Sequence, residues 1–314
     1  MPNTLGTLAT ATIVQEALAL VFTQRPILNN ISMGFTDRNG SPIAAFNQAV
    51  ITRTLAVPTV QDFGGSISTR SDADVSVTLD QFKEVGYNYT VQEYSGTNRD
   101  LIREAALPLA TALANKMVDA ISAIWTIANF PTRAGADAVA NGSTITKTVK
   151  GAGWDYTHLT DVRKTLNQSG VPEAGRFYVG NSNVYASMLT DLRIVGYLNN
   201  QNNAAAITSG KLPDVAGLAL GEYAALPATG NLCAFAGTKD STVFAARVPT
   251  DPRDLLPGLP IPGNMGIVTE PRTGLSVMVL EYIAMATLTV TTKLIWMYGT
   301  AVGNANNGQL IVTA

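Results

Sequence analysis

The chain has 314 residues, 46% of them hydrophobic and only 14% charged, with a formal net charge of −2 and a single cysteine. That length can bury a core without disulfides or metal clusters, and the near-neutral balance argues against a chain that holds nucleic acid by phosphate neutralisation, which needs clustered Lys and Arg. Charge at 14% against roughly 25% in an average soluble chain leaves a surface poorly defended against association, which points to coverage by other subunits, with a neutral-surfaced monomer as the alternative.

In chain order, Leu8, Ala11, Thr12, Gln15, Leu18, Ala19 and Phe22 recur at helical spacing and predict an amphipathic helix over 8–22, closed by Pro26. The opening twenty residues lack a basic start and carry Gln15 and Glu16, so no secretory signal is read there. Two β-prone runs follow, Ala49 to Val57 and Ile67 to Phe82, joined through Val57-Pro58 and Phe63-Gly64-Gly65. They predict a hairpin whose arms, at roughly 3.3 Å per residue, could reach ~50 Å; two strands alone are marginal in water, so the hairpin needs a surface to lie on.

Alternation through Val75, Val77 and Leu79, and again through Val85, Tyr87, Tyr89 and Val91, gives way after Ser95-Gly96 to helical spacing from Asn98 to Ala128, interrupted by Pro108. Leu109, Leu113, Met117, Ala120, Ile121, Ile124 and Trp125 define one face of this long helix, and Thr111, Asn115, Asp119 and Ser122 the other.

Residues 129–153 are glycine-rich and predict a loop or irregular strand. "YTHLTDVRKTLNQSGVP" is a helix with Leu159, Val162 and Leu166 inward and Gly170 as its stop, and "RFYVGNSNVYASMLTDLRI" is a buried strand, a turn at Gly180-Asn181 and another helix. "GYLNNQNNAAAITSGK" is a polar loop, expected to be mobile; "LPDVAGLALGEYAALP" and "LCAFAGTKDSTVFAARV" are strands around turns, the latter placing Cys233 in a buried context. Beyond a proline-rich crossing (249–262), two β runs close the chain, with a turn near Arg272-Thr273-Gly274. In the second run, Leu288, Val290, Leu294 and Trp296 alternate with Thr287, Thr289, Thr291 and Lys293, so one face is buried, and the long helix is its natural cover.

Chemistry is scarce. The only histidine, His158, reads as a surface or capping residue on the side of its helix away from Leu159; no nucleophile elbow, phosphate-binding loop or dinucleotide fingerprint occurs, and one His with one Cys cannot form a His/Cys metal cluster. No acidic cluster stands out among the loop residues, so an enzyme would rest on His158 or on a carboxylate pair that the sequence does not single out.

The order of elements, together with "VTLDQFKEVGYNYT" leading to "ALANKMVDAI", "VPEAGRFYVGNSNVYASMLTDLRI", "GKLPDVAGLALGEYAALP", "EPRTGLSVMVLEY" and "LIWMYGTAVGNANNGQLIVTA", resembles the major capsid protein of tailed bacteriophages, a fold shared with encapsulin shells and the herpesvirus capsid floor. The resemblance implies an α+β phage-capsid fold divided into an N-terminal arm (1–40), an extended β-hairpin loop (41–85), a peripheral domain with a long spine helix on a β-sheet (86–150), a mixed α/β axial domain (151–255) and a return to the peripheral sheet (256–314).

It further implies a structural protein without cofactors that assembles in the host cytoplasm, as pentamers and hexamers, into an icosahedral virion capsid around double-stranded DNA. Its partners would be a portal, a separate scaffolding protein and possibly a decoration protein. The alternative is an encapsulin-type compartment holding cargo protein. The self-assembly residues are those of the loop tip: Arg53, Val57, Pro58, Phe63 and Arg70. Some relatives weld their shells through a lysine in the extended loop; residues 37–82 here contain Arg38, Arg53 and Arg70 but no lysine, so buried area and strand addition must supply the strength. No charged scaffold-like extension precedes the arm, and the chain is expected to function from its encoded start.

Overall fold

The computed structural model describes residues 5–31, 43–54, 73–90, 101–130, 144–147, 154–191, 214–227, 231–251, 263–270, 274–284 and 286–313, with positions 63, 92–93, 193–194, 210 and 212. These form two compact units, one drawn from residues 1–15, 33–99 and 244–301, the other from 16–32, 100–243 and 302–314.

The first unit is built on a six-stranded sheet of β1 (Ile43–Ala44), β4 (Gln81–Thr90), β9 (Thr242–Pro249), β10 (Asn264–Thr269), β11 (Ser276–Ala284) and β12 (Thr289–Val302), ordered β1-β9-β12-β11-β10 with β4 also on β12. β12 is its backbone: β11 pairs with it antiparallel from Ala284–Thr289 to Met278–Ile295, and β4 from Thr90–Thr289 to Gln81–Tyr298. Gly86 lets β4 approach, since a Cβ there would stand 2.3 Å from the Thr292 carbonyl oxygen. Lys293 Nζ reaches across to Glu84 Oε1 at 3.0 Å, and this pairing holds the amine above its ordinary range, but at an exposed edge such a bridge contributes little.

The predicted one-sided burial of β12 needs correction. Leu294 and Trp296 are buried as expected, whereas Leu288 lies in the β11–β12 turn, 57% exposed, and Thr291 and Thr292 are buried beside Leu294. From Trp296 to Tyr298 every side chain is buried, so both faces of the strand are covered there and a period of two no longer reports which way is in.

The second unit holds a five-stranded sheet, ordered β5 (Thr144–Lys147), β13 (Gly308–Thr313), β8 (Leu232–Gly237), β6 (Phe177–Gly180) and β7 (Ala219–Glu222). Tyr178, Ala236 and Ala234 face the helices α3 (Tyr156–Gln168) and α4 (Ser182–Thr190), whose Leu159, Val162, Leu166, Val184 and Met188 complete a core. Both helices start on side-chain caps: Asp155 accepts from the His158 N–H at 3.0 Å and Asn181 from the Val184 N–H at 2.9 Å. Arg176 closes the far end of α3, donating to the Asn167 side chain and to the Pro172 and Val171 carbonyls.

His158 is fully buried, not at the surface: its Nε2 lies 3.2 Å from Tyr178 Oη and its ring meets Trp154 edge-on at 4.6 Å. It precedes Leu159 by one position, and the inward face of α3 (His158, Leu159, Val162, Thr165, Leu166) is wide enough to include it.

The long helix α2 spans Leu101–Ala123, about 35 Å at 1.5 Å per residue, and ends five residues before its sequence pattern does; residues 98–100 lie outside the described residues. It stops because Asn129 Nδ2 takes the Ile124 carbonyl at 2.7 Å while Trp125 turns inward, its ring stacked on Phe235 at 4.3 Å and its Nε1 donating to Thr242 Oγ1 at 3.1 Å. Phe130 and Phe177 pack edge-on and tilted against the same Phe235. Gly308 makes room, since a Cβ there would meet Phe130 Cε1 at 2.5 Å. Buried on α2 are Leu109, Leu113, Met117 and Ile121, as predicted, and a second stripe of Ala110, Ala114, Val118 and Ser122; Ser122 had been assigned to the opposite face.

The N-terminal helix α1 runs Leu5–Gln24, and among its described side chains Val14, Ala17, Leu18 and Val21 are buried at i, i+3, i+4, i+7 spacing; of the predicted face Leu18 is buried and Gln15 exposed, while Leu8, Ala11 and Thr12 lie outside the described side chains. The glycine-rich segment 129–153 contains β5, which pairs in parallel with β13. Residues 195–209 of the polar loop and 252–262 of the proline-rich crossing lie outside the described residues.

Trp125→Ala should lower the stability of the second unit by about 3–5 kcal/mol, because a fully stacked indole is removed from a close-packed site. Ile127→Ala, at a 52% exposed position two residues on, should stay within about 0.5 kcal/mol. Urea unfolding followed by far-ultraviolet circular dichroism separates the two.

Candidate functional site

The extended arm begins as β2 (Ala49–Thr54), paired antiparallel with β3 (Ala73–Thr78) from Ala49–Thr78 to Thr54–Ala73. The second predicted run, Ile67 to Phe82, is therefore two elements: β3 leaves the arm, turns at Leu79-Asp80, and the chain re-enters the main sheet as β4. Two hydrogen bonds fix the turn, Asn47 N–H to the Leu79 carbonyl and Leu79 N–H to the Gln48 carbonyl, both at 3.0 Å. Asn47 takes a left-handed φ of 63°, which Asn tolerates better than most residues.

Val77 and Leu79 are fully buried, and Gly299 on β12 receives them: a Cβ on Gly299 would stand 2.0 Å from the Thr78 carbonyl oxygen and 3.1 Å from Val77 Cγ1. The arm is thus rooted by apolar burial and by a backbone contact that only glycine permits.

Ile51 is 63% exposed and Phe63 wholly so, while Phe46 and Phe82, both about half exposed, meet edge-on at the base with ring centroids 6.5 Å apart. Of the residues predicted for self-assembly, Arg53 stands in β2 opposite Asp74, and Phe63 is exposed. Val57, Pro58 and Arg70 lie outside the described residues.

Sequence reasoning passed over Phe46, Ile51 and Phe82. Their signal was present, since each is a large apolar residue out of phase with the buried Val77–Leu79 set. Among the described residues no group of three or more His, Cys, Asp or Glu side chains converges, and no helix is long and apolar enough to cross a membrane. The lone Cys233 is buried in β8.

A rooted two-stranded arm, a long helix with an inward stripe, a long-stranded sheet and a second, helix-backed sheet, in this chain order, define a class: the chain has the fold of tailed-phage major capsid proteins. No protein-family model and no curated protein matches it. The likeness lies in solved structures. One from Mycobacterium phage Che8 matches 90% of this chain and 90% of its own at 15% identity, with a TM-score of 0.53. The capsid structure of the cyanophage P-SCSP1u matches 87% and 85% at 12% identity, TM-score 0.54, and the asymmetric unit of the mature capsid of bacteriophage PhiM1 91% and 87% at 10%, TM-score 0.50. At such identities the likeness is one of fold.

Gly299→Ala should unseat the root of the arm. The expected outcome is a lowered melting temperature together with faster amide exchange at Val77–Leu79, while exchange in β8 and β13 is unchanged; Gly266→Ala, where an added Cβ meets nothing within 4 Å, should leave the root unaffected.

Proposed function

We propose that this chain is a major capsid protein whose copies self-assemble into an icosahedral shell around double-stranded DNA, each protomer laying its extended arm on a neighbour. The arm carries the reading. A two-stranded ribbon is marginal in water by itself; this one is buried at Val77 and Leu79 and exposes Ile51 and Phe63, and burying each large apolar side chain is worth about 1.5–3 kcal/mol. A partner surface supplies what the single chain lacks.

The low charge content supports the same reading, since a surface destined to be covered by copies of itself has little use for solvating charges. Three properties of the solved neighbours support a virion rather than a cargo compartment: they come from phage particles, two are titled as capsids, and this chain spans most of their length. On this reading the chain is a building block and not an enzyme. The tip residues Arg53, Val57, Pro58, Phe63 and Arg70 contact the neighbour. Portal and scaffolding proteins, and a decoration protein where one exists, are separate chains.

Electron microscopy of the purified protein tests the shell directly, and the arm can be tested with it. Replacing residues 55–66 by a short glycine-containing turn should leave a folded, soluble protomer and abolish shells. Trypsin should cut after Arg53 and Arg70 in free chains and be strongly suppressed in shells. A truncated chain that assembled normally, or equal protection of both arginines in the free chain, would overturn the reading. With no lysine in 37–82, shells should also fall apart to single chains in hot detergent with reductant; an oligomer ladder on a denaturing gel would show a covalent network instead.

A further inference from the structure

A second polar constellation belongs to the unit of the five-stranded sheet. Asn115 and Asp119 stand one turn apart on α2 and border a cleft of 390 Å³ completed by Arg25, Glu222, Tyr223, Ala224 and Ala225. Arg25 occupies the joint where α1 ends at Gln24 and a 3-10 turn begins at Pro26. Its Nε donates to Asn115 Oδ1 at 2.7 Å, and its guanidinium carbon lies 5.7 Å from the centroid of the Tyr223 ring. Tyr223 is 4% exposed and donates through Oη to Asp119 Oδ1 at 2.5 Å.

Two features separate Arg25 from the rest. Tyr223 and Asp119 satisfy each other without it, and burial with the Asp119 hydrogen bond pushes the phenol far above its ordinary range. Arg25 itself is only half-buried, at the mouth of an open cleft where water can take over both its contacts. It is also the only basic residue in the first 37, so no neighbouring cation in that stretch can substitute for it. Ala17, Leu18, Val21, Ile27 and Leu28 hold this stretch by apolar burial, which a single hydrogen bond and a ring contact of about 1 kcal/mol each do not rival. What the apolar contacts leave open is rotation and slippage at the joint, because they are non-directional; a guanidinium held by one directed hydrogen bond and one ring face is not.

We propose that Arg25 is a releasable buckle: it fixes the register of the joint between α1 and the following turn against a preformed Asn115–Asp119–Tyr223 platform, and its release frees that joint while the platform and the sheet stay in place. Arg25 is a positioning residue, and Asn115 is its directed partner. The buckle is a property of the single chain and holds whether or not copies assemble.

Hydrogen–deuterium exchange on the purified full chain tests it. Asn115→Leu should raise exchange over residues 20–31 by about fivefold, the effect of losing one contact of this size, and Arg25→Gln, which also loses the ring contact, by more, with β8 and β13 unchanged. The double variant should exchange no faster than Arg25→Gln, because Arg25→Gln already removes the hydrogen bond to Asn115. Arg25→Lys should recover only part of the protection, since it keeps the charge but loses the planar fork. Unchanged exchange in Arg25→Gln would overturn the proposal. So would multiplicative effects in the double variant, which would make the two side chains independent, and so would a general rise that includes β8 and β13, which would make Arg25 an ordinary part of the core. Tyr223→Phe keeps the ring and should fold if Asn115→Leu does not; it should leave the Arg25 effect in force, and loss of that effect would likewise count against the buckle.

Discussion

The contact between the Thr78 carbonyl and the site where Gly299 has no side chain is the constraint on which the first unit depends. β12 can pair with β4 on one side of that point only if β3 has already turned away from it, and β3 can turn there only if its carbonyl is allowed against the β12 backbone. Val77 and Leu79 then fall into the interior, while Ile51 on the paired strand β2 is left exposed. One missing methyl group thus decides where a sheet ends and an arm begins. Gly86 repeats the device within the β4–β12 ladder, where a side chain would collide with the Thr292 carbonyl.

The division of the sequence into arm, spine helix and sheets was legible because each rests on a period. Val75, Val77 and Leu79 alternate and two of the three are fully buried; Leu109, Leu113, Met117 and Ile121 recur every three to four residues and all four are buried. What was not legible lies where period stops carrying information. Asp80 is the only polar break between β3 and β4, too slight to reveal that the chain changes sheets there, and the buried Thr291 and Thr292 belong to a strand covered on both faces. His158 was misjudged because a helix set one position from Leu159 can turn either way; what draws it in is Trp154, an aromatic from outside the helix.

The candidate site was legible unevenly, for a related reason. Phe63 and Arg53 stand out as residues of a β-prone hairpin, but Phe46 and Phe82 become a pair only when the turn at Asn47–Gln48 brings the two strand roots together. The platform under Arg25 left no trace at all. Arg25 and Asn115 are 90 residues apart and Tyr223 and Asp119 are 104 apart, and no motif links a cation, an amide, a carboxylate and a phenol at such separations. Directed polar contacts between distant segments are the part of a fold that propensity and pattern do not encode.

The two polar and apolar devices also differ in what they can support. A rooted ribbon exposing Ile51 and Phe63 offers a neighbour apolar side chains worth about 1.5–3 kcal/mol each, and one such contact, set against the freedom lost on association, would not hold two protomers together. In a closed shell each protomer both gives an arm and receives one, so the same small gain recurs at every subunit, and later contacts in the ring form between partners already held in place. A chain with few charges and weak individual contacts is suited to that arithmetic: association stays reversible while partners are few, misplaced subunits can leave, and stability accumulates only as the shell closes.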